Sequence, residues 1–177
     1  YYRMAQAGKL TNKRKTFQKD KGVTGLVFGS RELYDWVDEN PSVVVEPLSF
    51  VNDPAVIARH DNMISINSCI SVDLYGQICA ESAGLRQISG TGGQIDFVEG
   101  AFESKGGKCF IALSSTRKDK EGNLVSRIVP TFAPGEIVST PRSLAFYAAT
   151  EYGVVNLAGL STWERAEAVI SLAHPDF

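Results

Sequence analysis

The most informative part of the sequence is Gly90-Thr-Gly-Gly-Gln-Ile-Asp-Phe97. Its glycines come directly before apolar residues with helical spacing, Ile95, Val98 and Phe102, so we expect a helix to begin here. The first turn of a helix has backbone N–H groups without partners inside the helix, and these can bind an anion or a carbonyl oxygen. Taken alone, the glycines are also explained by a tight turn between a strand and a helix.

Short β-type segments alternate with helical segments on both sides of this stretch. They are bounded by Gly, Pro or Asn and are rich in β-branched residues, which favours strands. This alternation predicts an α/β fold with an open mixed, largely parallel sheet flanked by helices. Tyr75-Gly76 lies between two such segments and predicts a hairpin, hence some antiparallel pairing. The other predicted strands are Val23–Phe28, Ser42–Glu46, Met63–Asn67, Lys108–Leu113, Val125–Val129 and Ile137–Thr140.

Two more helices carry recognisable start signals. Ser30 can cap the first of them. Ser161, with Glu164 in the third position after it, forms the sequence pattern of a capping box and predicts the second. The first helix is expected to place Leu33, Trp36 and Val37 on one face, and the second to bury Trp163, Ala166, Val169 and Ile170.

The composition excludes several classes of function. The 177 residues are 44% hydrophobic and 21% charged, which is typical of a single globular domain. A net charge of −2 argues against binding to nucleic acid or to a membrane surface, since both usually require a basic excess. The basic run Lys9–Lys21 is either a solvated loop or a patch that faces a phosphate-bearing ligand. With no membrane-spanning run or leader pattern, we expect a cytoplasmic protein.

The spacing of reactive residues excludes several site chemistries. Cys69, Cys79 and Cys109 lack the paired spacing of a zinc site, and we expect reduced thiols in the core. His60 and His174 have no second ligand at suitable spacing, so we expect no bound metal. The dinucleotide-binding glycine pattern is missing, which argues against a nucleotide redox cofactor. Neither a phosphate loop nor a Gly-x-Ser-x-Gly elbow occurs.

Three stretches are specific enough to suggest a family, namely Ser89–Gly100, Thr150-Glu-Tyr-Gly153 and Ser161–Phe177. Further matching stretches extend the likeness over nearly the whole chain: Gly8–Asn12, Tyr34–Trp36, Val51–Pro54, Asp61–Ser68, Asp73–Gln77, Ser126–Pro130 and Thr140–Arg142. Together they resemble the C-terminal domain of the acetyl-CoA hydrolase/4-hydroxybutyrate coenzyme A-transferase family. Within that family, the chain is most similar to the butyryl-CoA:acetate and 4-hydroxybutyrate CoA-transferases of anaerobic bacteria.

The resemblance implies a transferase that moves coenzyme A (CoA) from a short-chain acyl-CoA to a free carboxylate such as acetate. Family members work by ping-pong chemistry through a glutamyl-CoA thioester, which conserves the energy of the thioester bond. An acyl-CoA hydrolase is the alternative within the same family. For the isolated chain, a non-catalytic domain that binds CoA or assists assembly is a further alternative.

The resemblance also implies roles for individual residues. The backbone amide of Gly93 corresponds to the family's donor to the oxyanion. Glu151 in the Thr-Glu-x-Gly motif and Asn52 in the Asn-Asp-Pro motif are expected to order the catalytic carboxylate or the incoming acid, although either could instead cap a loop. Contacts to CoA are implied for Gly92, Gly93 and Lys120, and Lys118 aligns as well as Lys120.

The catalytic glutamate of the family is missing from this chain. In the family it belongs to a His-x-Glu-Met-like motif that lies a few residues upstream of the segment matched by Tyr1. We therefore expect residues 1–177 to be the C-terminal domain of a longer protein whose N-terminal domain is absent here. The isolated chain is expected to be inactive, and the full-length protein is expected to be a homo-oligomer.

Overall fold

Six helices and thirteen short strands form the chain in the computed structural model, which describes residues 1–177. The helices are α1 (Tyr2–Gln6), α2 (Arg31–Val37), α3 (Leu48–Val51), α4 (Pro54–Ile57), α5 (Gln94–Glu103) and α6 (Thr162–Ile170). The strands are β1 (Gly22–Thr24), β2 (Val43–Val45), β3 (Ile64–Ser68), β4 (Ser71–Asp73), β5 (Ile78–Cys79), β6 (Ser82–Ala83), β7 (Arg86–Gln87), β8 (Lys108–Ala112), β9 (Thr116–Lys118), β10 (Leu124–Ser126), β11 (Ile128–Val129), β12 (Tyr147–Thr150) and β13 (Gly153–Asn156).

The centre of the fold is a four-stranded sheet in the order β13-β12-β8-β3. β3, β8 and β12 run parallel, with Ser65 opposite Cys109 and Ile111 opposite Ala148. β13 pairs antiparallel with β12. This mixed, largely parallel sheet confirms the predicted α/β class, and the other strands form four smaller sheets: β1-β2, β6-β7, β10-β9 and β11-β4-β5.

Helix α5 covers one face of the central sheet. Val98 and Ala101 of α5 are fully buried against that face. Successive side chains of a strand point to opposite faces, so Cys109 and Ile111 of β8 lie on the same face of the sheet. Both belong to the same hydrophobic core as Val98 and Ala101. The same alternation leaves Ile66 of β3 72% exposed on the other face.

The direction of α5 follows from contacts at its C-terminal end. Ser104, which directly follows α5, donates a hydrogen bond from Oγ to the carbonyl oxygen of His60 (2.6 Å). Ser104 Oγ in turn accepts a hydrogen bond from the amide of Met63 (3.1 Å), which lies just before β3. The end of α5 therefore lies beside the start of β3, and α5 runs antiparallel to the parallel strands. Its first residues, which follow Gly93, consequently lie at the carboxyl ends of those strands.

Several predicted elements form with changed boundaries. Tyr75-Gly76 connects the antiparallel strands β4 and β5, and Gly76 adopts a positive φ of 77°, which confirms the hairpin. The predicted strand Val125–Val129 is divided into β10 and β11, because Ser126 Oγ turns back to the backbone of Ile128. α2 begins after Ser30, although its hydroxyl makes no capping bond, and the predicted face of α2 is half-buried.

The prediction of a strand at Ile137–Thr140 is wrong. The backbone amides of Ser139 and Thr140 both donate to the carbonyl oxygen of Ile78 (2.8 and 3.2 Å), so the segment makes one isolated bridge. Pro141 follows directly and has no N–H group with which to continue a ladder.

The capping box of α6 is confirmed, but the predicted buried face is only partly right. Ser161 Oγ accepts from the Glu164 amide (3.3 Å), and the Glu164 carboxylate accepts from the Ser161 amide (2.8 Å). Val169 is fully buried and Ala166 half-buried, whereas Trp163 is 76% exposed and Ile170 52% exposed. Trp163 and Ile170 lie seven positions apart in the sequence and therefore share the solvent-facing side of the helix. No helix of the chain has the length and apolar character needed to cross a membrane.

Candidate functional site

The carboxyl ends of the parallel strands β3, β8 and β12 form one edge of the central sheet. In open α/β sheets, ligands bind at this edge. The segments that follow β8 and β12 contain Ser115 and Glu151, respectively. Gly93 lies at the same edge, because α5 runs antiparallel to these strands.

Gly93 is the N-cap residue of α5, as the sequence predicts. Its dihedral angles are φ −100° and ψ 15°, and no side chain caps the helix. The Gly93 N–H makes no hydrogen bond within the chain, so it is free to donate to a ligand. Gly92 before it adopts a φ of 55°, a left-handed conformation that favours glycine.

Asn52 lies directly against Gly93. An ideal Cβ atom built on Gly93 would overlap the Asn52 amide nitrogen and would lie 3.0 Å from Asn52 Cγ. The sequence predicted both residues for the site, but not this contact. Asn52 is the C-cap of α3 and is half-buried, and its side-chain amide lies at the start of α5.

Close packing of α4 against α5 brings the two residues together. Asp53, next to Asn52, caps α4 by accepting a hydrogen bond from the Ala55 amide (2.8 Å). A Cβ atom on Gly100 of α5 would lie 2.5 Å from Ile57 Cβ and 3.0 Å from the Pro54 carbonyl oxygen. Only glycine therefore permits this approach of the helices, which sets the position of Asn52 relative to Gly93.

Glu151 lies in the turn between β12 and β13, and Ser115 holds its carboxylate. Ser115 donates from its amide to Glu151 Oε2 (2.9 Å) and from Oγ to Glu151 Oε1 (2.6 Å). Ser115 is fully buried, whereas Glu151 is exposed. The hydrogen bonds from Ser115 lower the pKa of Glu151 below the ordinary glutamate value, so the carboxylate is ionised at neutral pH.

Lys120 lies apart from this group. It is exposed in the turn of the β9–β10 hairpin, where Asp119 accepts hydrogen bonds from the amides of Glu121 (3.0 Å) and Asn123 (2.8 Å). No hydrogen bond or ion pair links Lys120 to the other predicted site residues. Its contact with CoA stays a prediction, as does that of Lys118.

A cavity of about 450 Å³ opens at the same edge of the sheet. Residues that follow β3, β8 and β12 line it, together with Arg127. A second cavity of about 260 Å³ is mostly apolar and lies between β1 and α2, away from Gly93 and Glu151. We place the candidate site at the larger of these two cavities, because its lining residue Thr150 directly precedes Glu151. The larger cavity is lined by Ser68, Cys69, Ala112, Leu113, Ser114, Arg127, Ala149 and Thr150.

Cys69 in this cavity is a neutral thiol. Burial, followed by the neighbouring Cys79, raises the pKa of Cys69 to about 12. Cys69, Cys79 and Cys109 are all free and buried, which confirms the prediction of core thiols. No group of three or more His, Cys, Asp or Glu side chains lies close enough to hold a metal ion.

Sequence reasoning missed two residues of the site, Ser115 and Arg127. Ser115 lies 36 positions from Glu151, and no motif connects the two. Its position directly after a buried strand was the one available signal, because such residues lie at the binding edge of a parallel sheet. Arg127 is inside the matched segment Ser126–Pro130, but nothing in that segment indicated a cavity.

Comparison with known proteins gives close relatives. Residues 29–177 match the acetyl-CoA hydrolase/transferase C-terminal domain family. A probable butyrate:acetyl-CoA coenzyme A-transferase of Syntrophomonas wolfei subsp. wolfei is 53% identical over 177 residues, which is 100% of this chain and 39% of that protein. A butyryl-CoA:acetate CoA-transferase of Anaerostipes caccae is 51% identical over 174 residues, covering 98% of this chain and 39% of that protein.

A solved structure of another CoA-transferase is also similar to this chain. The crystal structure of 4-hydroxybutyrate CoA-transferase from Porphyromonas gingivalis superposes with a TM-score of 0.81 and 43% identity. The match covers 99% of this chain and 40% of that chain. This chain therefore spans well under half the length of the proteins that it matches.

Proposed function

Because this chain belongs to the acetyl-CoA hydrolase/transferase C-terminal domain family, we propose that residues 1–177 are the C-terminal domain of a coenzyme A-transferase. The full-length enzyme moves CoA between a short-chain acyl-CoA, such as butyryl-, 4-hydroxybutyryl- or acetyl-CoA, and a free acid such as acetate. The main structural support for this proposal is the contact between Gly93 and Asn52 at the uncapped start of α5. It combines a free backbone donor with a neighbouring side-chain amide.

In the proposed reaction, a glutamate carboxylate attacks the carbonyl carbon of the acyl-CoA thioester. The electron pair of that carbonyl moves to its oxygen, and the oxyanion accepts a hydrogen bond from the Gly93 N–H. Collapse of the intermediate expels CoA thiolate and leaves an acyl-glutamyl anhydride, which the thiolate reopens at the glutamyl carbonyl to release the free acid. A preorganised donor of this kind typically contributes about 10²–10³ in rate.

Asn52 and Glu151 contribute to this reaction by orienting the reacting groups. The Asn52 amide, held against Gly93, can hydrogen-bond a carboxylate that approaches the oxyanion position. Glu151 is held in its ionised form by Ser115 and can orient a neighbouring group by charge and hydrogen bonding. We assign contacts with CoA to Gly92, Gly93 and Lys120.

The glutamate nucleophile and part of the substrate site belong to an N-terminal domain outside this chain. The relatives are more than twice as long as this chain, which leaves room for such a domain. We propose a homo-oligomeric full-length enzyme whose substrates are acyl-CoA and a carboxylate, without a metal or redox cofactor. Its three free cysteines suit a reducing compartment, and we propose the cytoplasm.

Product analysis of the full-length protein tests this function. Butyryl-CoA is incubated with and without acetate, and the CoA species are separated by chromatography. A transferase forms acetyl-CoA in step with the loss of butyryl-CoA, and only when acetate is present. Release of free CoA at the same rate with and without acetate identifies an acyl-CoA hydrolase and contradicts the proposal.

A further inference from the structure

Arg127 is a cation at the candidate site that has no anionic partner. Its backbone is fixed between β10 and β11, because its amide donates to the Ser115 carbonyl oxygen (2.8 Å) and its own carbonyl accepts from the Val72 amide (3.0 Å). Arg127 is one of the residues that line the cavity of about 450 Å³ at the carboxyl ends of β3, β8 and β12. Arg127 Nε is buried and makes no hydrogen bond, and neither ion pair of the chain involves this residue.

The neighbours of Arg127 leave its charge uncompensated. None of the residues that line the cavity is acidic. Cys69 stays neutral because burial raises its pKa to about 12. Glu151, which follows the lining residue Thr150, already binds Ser115 through both carboxylate oxygens. An arginine that is partly buried without a partner is unfavourable, and a bound anion would offset that cost.

We propose that Arg127 binds the carboxylate of the short-chain acid in this cavity, an inference that rests on the transferase function proposed above. A guanidinium group can bind both oxygens of a carboxylate through parallel hydrogen bonds. The acid that accepts CoA is held in this way before its carboxylate reacts.

The rest of the cavity suits a small acid. Ser68 and Ser114 are exposed at its rim and present hydroxyl groups that can donate to a carboxylate. Ala112, Leu113 and Ala149 supply a short apolar surface that can accommodate a short alkyl chain. The lining residues Ser114 and Thr150 directly precede Ser115 and Glu151, so an acid bound in the cavity lies close to the turn that carries Glu151.

The test uses the full-length protein with Arg127→Gln, Arg127→Lys and the control Arg117→Gln. Arg117 is exposed on β9 and does not line the cavity, so its replacement removes the same charge outside the site. Binding of butyrate alone is measured by ligand-observed NMR, which requires no turnover. The two half-reactions are measured separately, as formation of the enzyme–CoA adduct from butyryl-CoA and as its discharge by acetate.

We expect Arg127→Gln to abolish the butyrate signal and to raise the KM for acetate by about 10- to 100-fold, the range for losing a charge-assisted hydrogen bond. Adduct formation and melting temperature should stay close to wild type. Arg127→Lys should recover part of the affinity, because it keeps the charge without the planar fork. Arg117→Gln should behave as wild type.

Three results would overturn the assignment of Arg127. An unchanged KM for acetate would show that the acid binds elsewhere. A raised KM for butyryl-CoA alone would mean that Arg127 holds a phosphate of CoA. Equal losses in both half-reactions with a lower melting temperature would make Arg127 structural. If wild type binds butyrate through Arg127 but transfers no CoA, the carboxylate site stands and the proposed transferase function fails.

Discussion

Substitution of Gly93 by alanine should separate catalysis from stability. The dihedral angles of Gly93 (φ −100°, ψ 15°) suit an alanine, so the backbone is not strained. Replacing glycine under such conditions usually stabilises a protein by about 0.4–1 kcal/mol through the unfolded state. The new Cβ atom, however, would overlap the Asn52 amide, which must move away by about 1 Å to reach ordinary contact distance.

A displacement of this size at a catalytic centre can lower the reaction rate by a factor of about 10². We therefore expect Gly93→Ala to lower kcat of the full-length enzyme by about 10², with its melting temperature within about 2 °C of wild type. Gly90→Ala is the matched control, because a Cβ atom there meets open space and Gly90 does not adopt a positive φ.

Initial rates of acetyl-CoA formation and thermal unfolding are measured on the same preparations of both variants. If Gly93→Ala retains more than half of the wild-type rate, the Gly93–Asn52 contact has no part in catalysis. Equal losses for Gly93→Ala and Gly90→Ala would mean that the loop is sensitive to any side chain, and the specific role of Gly93 would be withdrawn.

Three further predictions concern Glu151 and Cys69. Glu151→Gln keeps the shape of the side chain and should lower the transfer rate by about 10²-fold, with only a small fall in melting temperature at neutral pH; a proportional fall in both would make Glu151 structural. Because Ser115 lowers the pKa of Glu151, their contact stabilises the fold above the ordinary glutamate pKa, and this contribution is lost as the pH falls through the lower pKa of the folded state. Melting temperatures of wild type and Glu151→Gln are therefore compared from neutral to acidic pH. The difference between the two melting temperatures should become smaller in acid. A difference that grows in acid would contradict the stabilising role of the Ser115–Glu151 contact. Cys69, with its pKa raised to about 12, should resist iodoacetamide near pH 8 until the chain unfolds, whereas rapid labelling of the folded protein, detected by mass spectrometry, would show that the thiol is accessible.

Sequence patterns predicted the parts of the fold that depend on interactions between residues close together in the sequence. The capping box of Ser161 and Glu164 forms because both partners belong to the same helical turn. The start of α5 at Gly93 follows from glycines placed before a helical apolar repeat. In α6, the apolar pattern did not reveal that the face with Trp163 and Ile170 is left exposed, because burial depends on what packs against a helix.

Contacts between distant segments could not be predicted in this way. Asn52 and Gly93 each matched a family motif, but their contact depends on how closely α4 approaches α5 at Gly100. Ser115 is positioned by the parallel pairing of β8 with β12, and that register has no counterpart in the spacing of Ser115 and Glu151 along the chain. The sequence therefore indicated Gly93, Asn52 and Glu151 as candidates, whereas Ser115, Arg127 and the arrangement of the group became visible only in the folded sheet.

In the proposed mechanism, the full-length protein carries CoA on a glutamate while this domain stabilises the oxyanion. Intact-protein mass spectrometry after incubation with butyryl-CoA, without any acceptor acid, detects that intermediate. We predict a mass increase equal to one covalently bound CoA per chain, located by peptide mapping outside residues 1–177 and removed when acetate is added. The absence of any CoA adduct, or an adduct on a residue within this chain, would contradict the account.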